Sequence, residues 1–332
     1  MSEVRPSAGS RTTVWLALLA NVGIALLKAL AGLFTGSAAL LSEAAHSVGD
    51  SVTEVLLLTA LRRSERPADK RHPFGYGKER YFWSLLAAVG ILVSGAAYSI
   101  YEGVHTMVSP PVEQTAIWVA YLVLAISVLL ESASFIQSYR MLRRQADAEM
   151  IGLREYLKDP EDPTVKSVVL EDSAALIGLF LAFFGVAARQ VTGSAVWDGL
   201  AALSIGVLLV VVAFQLAQTN KGLLIGKQAN NRLVRQVRAF LDAQPEVEKL
   251  VDLLTMMVGT GRILLCARLD FDDNLTAARL EQVCVRIDNE LRTKFEALDE
   301  VFLEPVPRTD PELRARVLAR YGDVLDRPIP GR

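Results

Sequence analysis

Residues Ala38–Leu61 read AALLSEAAHSVGDSVTEVLLLTAL. The stretch is long enough to cross the hydrocarbon of a bilayer, about 30 Å, for which about 20 helical residues suffice. Yet it carries Glu43, His46, Asp50 and Glu54 at spacings of 3, 4 and 4, which keeps all of them on one helical face. An ionisable side chain at mid-membrane costs on the order of 2.5 to 3.5 kcal/mol. A stripe of such groups persists where it faces a cavity or a partner. The spacing therefore predicts a membrane helix with a polar path along one side.

Working outward, further apolar stretches of similar length lie at Thr13–Phe34, Tyr81–Val104, Ala116–Gln137, Val168–Ala188 and Trp197–Gln218. The first is no cleavable signal, because its apolar run is too long, it holds Lys28 and a second span follows at once. Composition agrees with a chain split between lipid and water: of 332 residues 52% are apolar, 22% are charged, and mean hydropathy is +0.31. A formal charge of −2 gives no basic field for nucleic acid. The cysteines, Cys266 and Cys284, form neither a disulfide framework nor a thiolate zinc site.

Basic residues orient the spans. Arg5 and Arg11 precede the first, Arg62, Arg63, Arg66, Lys70, Arg71, Lys78 and Arg80 link the second to the third, and Arg140, Arg143, Arg144, Arg154, Lys158 and Lys166 link the fourth to the fifth. Lys221 and Lys227 follow the sixth, whereas the intervening turns hold only Arg189. By the positive-inside rule both termini are cytoplasmic.

From Asn230 the pattern is that of a soluble domain. Asn231–Ala243 and Leu275–Phe295 have helical spacing, Val247–Val258 and Arg262–Phe271 read as strands around Gly259-Thr260-Gly261, and Val301–Leu303 begins a last strand. The expected architecture is a cytoplasmic tail (1–12), a six-helix transmembrane bundle (13–220), an αββαβ domain of ferredoxin-like α+β type (230–307) and a polar, loosely ordered tail (308–332).

Ligand chemistry points to the same stripe. His46 and Asp50 sit one turn apart, so an imidazole nitrogen and a carboxylate oxygen can reach one ion. Zinc takes such ligands at about 2.0 to 2.2 Å in a tetrahedron, so another helix must supply the rest. Asp172 is the best-placed donor and Glu171 the next, with Glu131 well inside its own span. In a soluble helix an isolated His-x-x-x-Asp mostly just bonds to neighbours; inside a span with more acids nearby the balance moves towards function. Glu43 is a further ligand candidate beside Glu131, but it and Glu54 lie near opposite ends of their span, where water accounts for them equally well. Lys28 and Glu102 read as a structural pair or as snorkelling ends.

The segments Leu40–Asp50, LLSEAAHSVGD, and Asp69–Glu79, DKRHPFGYGKE, resemble the cation diffusion facilitators over about residues 12 to 307. The resemblance implies a homodimeric, proton-coupled exporter of zinc or a related divalent ion, with His46 and Asp50 as second-span ligands. A fifth span of that family normally supplies a His and an Asp four apart; here Asp172 takes the Asp position and Val168 stands where the His belongs. The Glu171-Asp172 pair is similar to a divergent branch that includes an animal mitochondrial zinc transporter. Adjacent helix positions point about 100° apart, so Glu171 replaces the missing His only in a distorted helix; Glu131 or water are the other choices. In the loop Asp69 and His72 match an accessory site, but Tyr76 occupies the place of a second His. The C-terminal domain has no His at all, and Asp252 alone makes a poor site.

The sequence thus predicts a secondary transporter, not an enzyme: neither HExxH nor GxSxG occurs. Zn²⁺ is the expected cargo, exchanged for protons across the bilayer, with no prosthetic group, in a homodimer. Mn²⁺, Co²⁺ or Fe²⁺ suit an oxygen-rich site as the alternative cargo, and the missing His makes a transport-weak regulatory subunit the other reading. With no transit peptide legible, the expected location is a bacterial inner membrane.

Overall fold

In a computed structural model of the chain, residues 8–109, 115–148, 152–156 and 163–321 are described. The start of the N-terminal tail and residues 322–332 lie outside them. The chain divides into two compact units: the helices up to Lys221 form one, while the loop Pro67–Lys78 and the chain from Gly222 form the other.

The helical unit contains α1 (Ala8–Thr35), α2 (Ala38–Ser64), α3 (Glu79–Gly90), α4 (Ala97–Val108), α5 (Ile117–Ala148), a short α6 (Leu153–Tyr156), α7 (Pro163–Thr192) and α8 (Val196–Ile225). A π-helical turn, Ile91–Ala96, joins α3 and α4 into one rod, Glu79–Val108. That rod, Ile117–Asp147, Val168–Thr192 and Val196–Ile225 are long and apolar enough to cross a membrane, with Asn21–Thr35 a shorter apolar segment, among the described residues. α2 is as long but falls outside that set because its polar stripe dilutes its apolar character. α2 is the hub, packing against α1, α3, α4 and α7, while α1 and α7 also pack on α5.

Small side chains let these helices approach. The buried cluster includes Ala31, Ala39, Ala88, Ala96, Ala120, Ala174, Ala182 and Ala201, interleaved with Leu40, Leu124, Leu179, Ile205 and Leu209. Outward faces are apolar instead: Leu26, Leu30, Leu33, Leu129, Phe184 and Phe214 are all more than half exposed. An apolar exterior around a polar interior path is the arrangement of an integral membrane protein.

The second unit is built on a sheet of order β1-β2-β3, where β1 is Val247–Gly259, β2 is Arg262–Phe271 and β3 is Leu298–Pro305. β1 and β2 form the hairpin read from the sequence, antiparallel, with Met257 opposite Ile263. β3 runs parallel to β2, Leu265 opposite Val301, after the crossover helix α10 (Ala277–Lys294). β2 buries its alternate residues Ile263, Leu265, Ala267 and Leu269, while α9 (Asn231–Asp242), packed on β1, buries Val237 and Leu241, and α10, packed on β3, buries Val283, Ile287 and Leu291. Both cysteines are free, and burial pushes the thiols of Cys266 and Cys284 up.

One segment departs from expectation. Part of the polar tail is a helix, α11 (Pro311–Tyr321), which buries Leu313 and Val317 with Val251 of β1. Its start is capped, as Asp310 Oδ1 accepts the Leu313 amide at 2.7 Å ahead of a proline at the first helical position. Arg320 then reaches Asp252 Oδ2 at 3.1 Å, a carboxylate also held by Arg268 at 3.1 Å. The buried Asp252 is thus neutralised by two guanidiniums.

The loop carrying HPFGYGK has a packing reason for its glycines. Gly75 adopts φ +74°, a conformation costly to any residue with a Cβ. Gly77 lies against the β1–β2 hairpin, where a Cβ would stand 2.4 Å from the Val258 carbonyl oxygen and 2.7 Å from Gly259 Cα. Both obstacles are backbone, so neither can rotate away. Gly77→Ala should undock the loop from the hairpin, at about 1 to 3 kcal/mol. Amide exchange across Val258–Arg262 reads it: faster exchange is expected, and wild-type protection would sink this account of the motif.

Candidate metal site

α2 delivers its stripe as the spacing requires. His46 Nε2 stands 3.5 Å from Asp50 Oδ1. Two ligand atoms each about 2.0 to 2.1 Å from one tetrahedral ion lie roughly 3.4 Å from each other, so this gap is that of a chelating pair. The helix is held here by the π-helical turn: a Cβ on Gly49 would lie 3.3 Å from Ser94 Oγ, and one on Gly95 3.8 Å from His46 Cα. Ser94 Oγ donates to the Gly90 carbonyl at 2.7 Å, satisfying a polar group inside the distorted turn.

Asp50 opens onto a cavity of about 320 Å³ between α1, α2, α5 and α7, whose acidic lining is Asp50, Glu54, Glu131, Glu171 and Asp172. Val168 lines the same cavity. The residue in the place of the family's His therefore presents an apolar wall where a nitrogen would have been useful. Glu171 and Asp172 both reach the cavity from an undistorted α7. The two neighbours, about 100° apart on the helix, thus line one cavity.

The sequence reading missed what orients these groups. Ser138 Oγ donates to Asp172 Oδ2 at 2.6 Å and Ser134 Oγ to Oδ1 at 3.2 Å. Glu131, Ser134 and Ser138 follow one another at helical spacing along α5, and that stripe was the available signal. Glu54 accepts from Asn21 Nδ2 of α1 at 3.1 Å. Among the described residues no three His, Cys, Asp or Glu side chains already converge on one point; the arrangement is a His–Asp pair facing further carboxylates across open space.

Two expectations are corrected. Glu43 is not wet but fully buried, 0% exposed. Lys28 pairs with it, Nζ to Oε2 at 3.2 Å, and not with Glu102; Lys28 also donates to Ser47 Oγ at 2.9 Å. Helix spacing reveals which residues share a face but not which faces meet, and α1 turns its lysine towards α2.

In the loop, Asp69 and His72 lie 3.5 Å apart and exposed. Asp69 accepts the amides of Arg71 and His72 and, at 2.8 Å, the Tyr76 hydroxyl. The Tyr76 hydroxyl, and after it the His72 amide, hold the Asp69 carboxyl below the usual carboxylate range. Both its oxygens are engaged in shaping the loop.

Among known proteins, the cation efflux transmembrane domain matches residues 14–225. The chain is 32% identical to the mitochondrial proton-coupled zinc antiporter SLC30A9 of Homo sapiens over 82% of its length and 48% of that protein. It is 31% identical to metal tolerance protein C4 of Arabidopsis thaliana over 95% of its length and 66% of that protein. It is 25% identical to the manganese efflux system protein MneP of Bacillus subtilis, over 90% of its length and 96% of that protein. The chain spans about half the length of the SLC30A9 proteins it matches. A polar stripe in an apolar bundle and a match to most of that bundle lead to one conclusion: the chain belongs to the cation efflux family, the cation diffusion facilitators.

Proposed function

We propose that this protein exports a divalent metal ion from the cytoplasm in exchange for protons, with Zn²⁺ as the principal cargo and His46, Asp50, Asp172 and Glu171 as its binding site. One observation carries the reading: a His–Asp pair at chelating distance opens onto a cavity whose far wall is Glu171 and Asp172, inside a bundle with an apolar exterior. Metal requires deprotonated ligands, so protons and metal compete for the same groups. A histidine with a reference pKa of about 6.5 suits exchange near neutral pH. The SLC30A9 relatives, named as proton-coupled zinc antiporters, support zinc and protons as the exchanged ions.

Glu131 belongs to the outer reach of the site, Glu43 is withheld from it by Lys28, and Asp69 with His72 serves loop geometry. We read the bundle as six spans with both termini cytoplasmic, working as a homodimer in a bacterial inner membrane. The C-terminal unit is read as a reduced ferredoxin-like domain. A second cargo has its own support: the ionisable groups lining the cavity are all carboxylates, with His46 nearby, which suits Mn²⁺, and MneP is a manganese efflux relative.

Zn²⁺ uptake into acid-loaded proteoliposomes tests the reading, with Mn²⁺ in parallel and Asp172→Ala beside the wild type. Zinc uptake that needs the pH gradient and falls at least tenfold with Asp172→Ala is expected. Mn²⁺ uptake alone would replace the cargo, and gradient-independent uptake would remove the proton exchange.

A further inference from the structure

A lysine buried inside the bundle is placed as if to edit the ligand set. Lys28 is 1% exposed, with its ammonium 3.2 Å from Glu43 Oε2, 2.9 Å from Ser47 Oγ and 4.0 Å from Glu131 Oε1. Glu43 lies one turn before His46 on α2, so the two share a face, and a change of rotamer would carry that carboxylate towards a metal ion bound by the imidazole. The other oxygen of Glu43, Oε1, is buried without a hydrogen-bond partner. It is seated against α7 at Gly178, where a Cβ would come within 2.3 Å of Glu43 Oε1 and 3.9 Å of His46 Nδ1. α7 has thus made room, by lacking a side chain, for a carboxylate near the Nδ1 side of the imidazole, one of whose oxygens makes no hydrogen bond.

From this we infer that Lys28 is a positioning residue that sets the affinity of the transport site, by holding Glu43 out of the metal's coordination and by adding one fixed positive charge beside the acidic cavity. The inference rests on the metal-site reading above. Charge arithmetic gives the reason. Glu43, Asp50, Glu131, Glu171 and Asp172 are all gathered around α2. A divalent ion offered every one of these carboxylates would be bound too tightly to leave, whereas an exporter must release its cargo on each cycle. An ammonium claimed by Glu43 and near Glu131 leaves Asp50, Glu171 and Asp172, with His46, to the metal. A buried pair of this kind is weak evidence for stability, since desolvation offsets much of its attraction, which makes a functional reason for keeping it worth testing.

The test is equilibrium dialysis of Zn²⁺ alone against the purified full-length protein in detergent, with uptake kinetics alongside. Lys28→Gln should lower the Kd for zinc by roughly tenfold or more and lower kcat and KM together, because freed Glu43 becomes a ligand and release slows. Lys28→Arg should stay near wild type. Glu43→Gln should weaken binding, since it leaves Lys28 uncompensated beside the cavity. Adding Lys28→Gln to Glu43→Gln should bring the Kd back towards wild type. A Kd for folded Lys28→Gln equal to or weaker than wild type overturns the inference. If that variant does not fold, the Glu43→Gln pair decides: a double variant that stays as weak as Glu43→Gln marks Glu43 as an ordinary ligand and overturns it equally. Asp50→Ala in the same dialysis separates the two levels, because wild-type zinc binding by that variant removes the metal site itself, whatever Lys28 does.

Discussion

Asp50→Ala is expected to reduce zinc uptake to that of empty vesicles, a loss of more than about a hundredfold, exceeding the 10- to 100-fold typical of losing a group that merely orients a ligand. Asp50 is the only carboxylate described at chelating distance from His46, and it also lines the cavity shared with Glu171 and Asp172. Without it the imidazole faces the far wall alone, because Lys28 holds Glu43, the other carboxylate near the ring. The variant should still assemble. Asp50 is 28% exposed to the cavity, so truncating it strands no buried partner except the His46 ring, which can turn to water there. Folded Asp50→Ala with wild-type flux would move the site elsewhere.

Much of this site was readable from α2 alone, because a membrane helix taxes every charge and the survivors at helical spacing declare a shared face. Glu171 and Asp172 were readable for the same reason. What lay beyond reach was the pairing of faces. Nothing in the spacing says that Lys28 meets Glu43 and Ser47, or that Ser134 and Ser138 receive Asp172, since those contacts depend on how α1, α2, α5 and α7 are rotated about their axes. α11 was missed differently: its sequence is polar overall, and the two residues that anchor it, Leu313 and Val317, are too few to make a periodic pattern. The Asp310-Pro311 start signal was present and outweighed by composition. Asp198 escaped notice because a single acid at the start of an apolar stretch reads as an interfacial residue, yet it is fully buried.

Asp198→Ala should be the most destabilising substitution in the helical unit. The carboxylate accepts the Ser37 hydroxyl at 2.8 Å, the amides of Ala38 and Ala39 at 2.7 and 3.3 Å, and Arg189 Nη1 at 3.1 Å. Arg189 in turn donates to the Gly36 carbonyl at 2.7 Å and is only 5% exposed. One side chain of α8 therefore caps the start of α2, ties down the turn between α1 and α2, and neutralises the only basic residue at that end of α7. Removing it takes from a buried guanidinium the carboxylate 3.1 Å away, a loss of up to about 3 to 5 kcal/mol, and strips first-turn amides of α2 of their acceptor, a further 0.5 to 2 kcal/mol or so. In detergent the melting midpoint should fall by roughly 10 °C or more, with Asp198→Asn intermediate because it keeps an acceptor but loses the charge. Pairing Asp198→Leu with Arg189→Met should recover part of the loss, since it removes the guanidinium together with its carboxylate while the amides stay unmet. A midpoint for Asp198→Ala within about 2 °C of wild type would mean that water reaches this end of the bundle and solvates Arg189. The consequence extends to the site, because the helix this carboxylate anchors is the one that carries His46 and Asp50: if the anchor fails, zinc affinity should fall with it, although Asp198 is no part of the cavity lining.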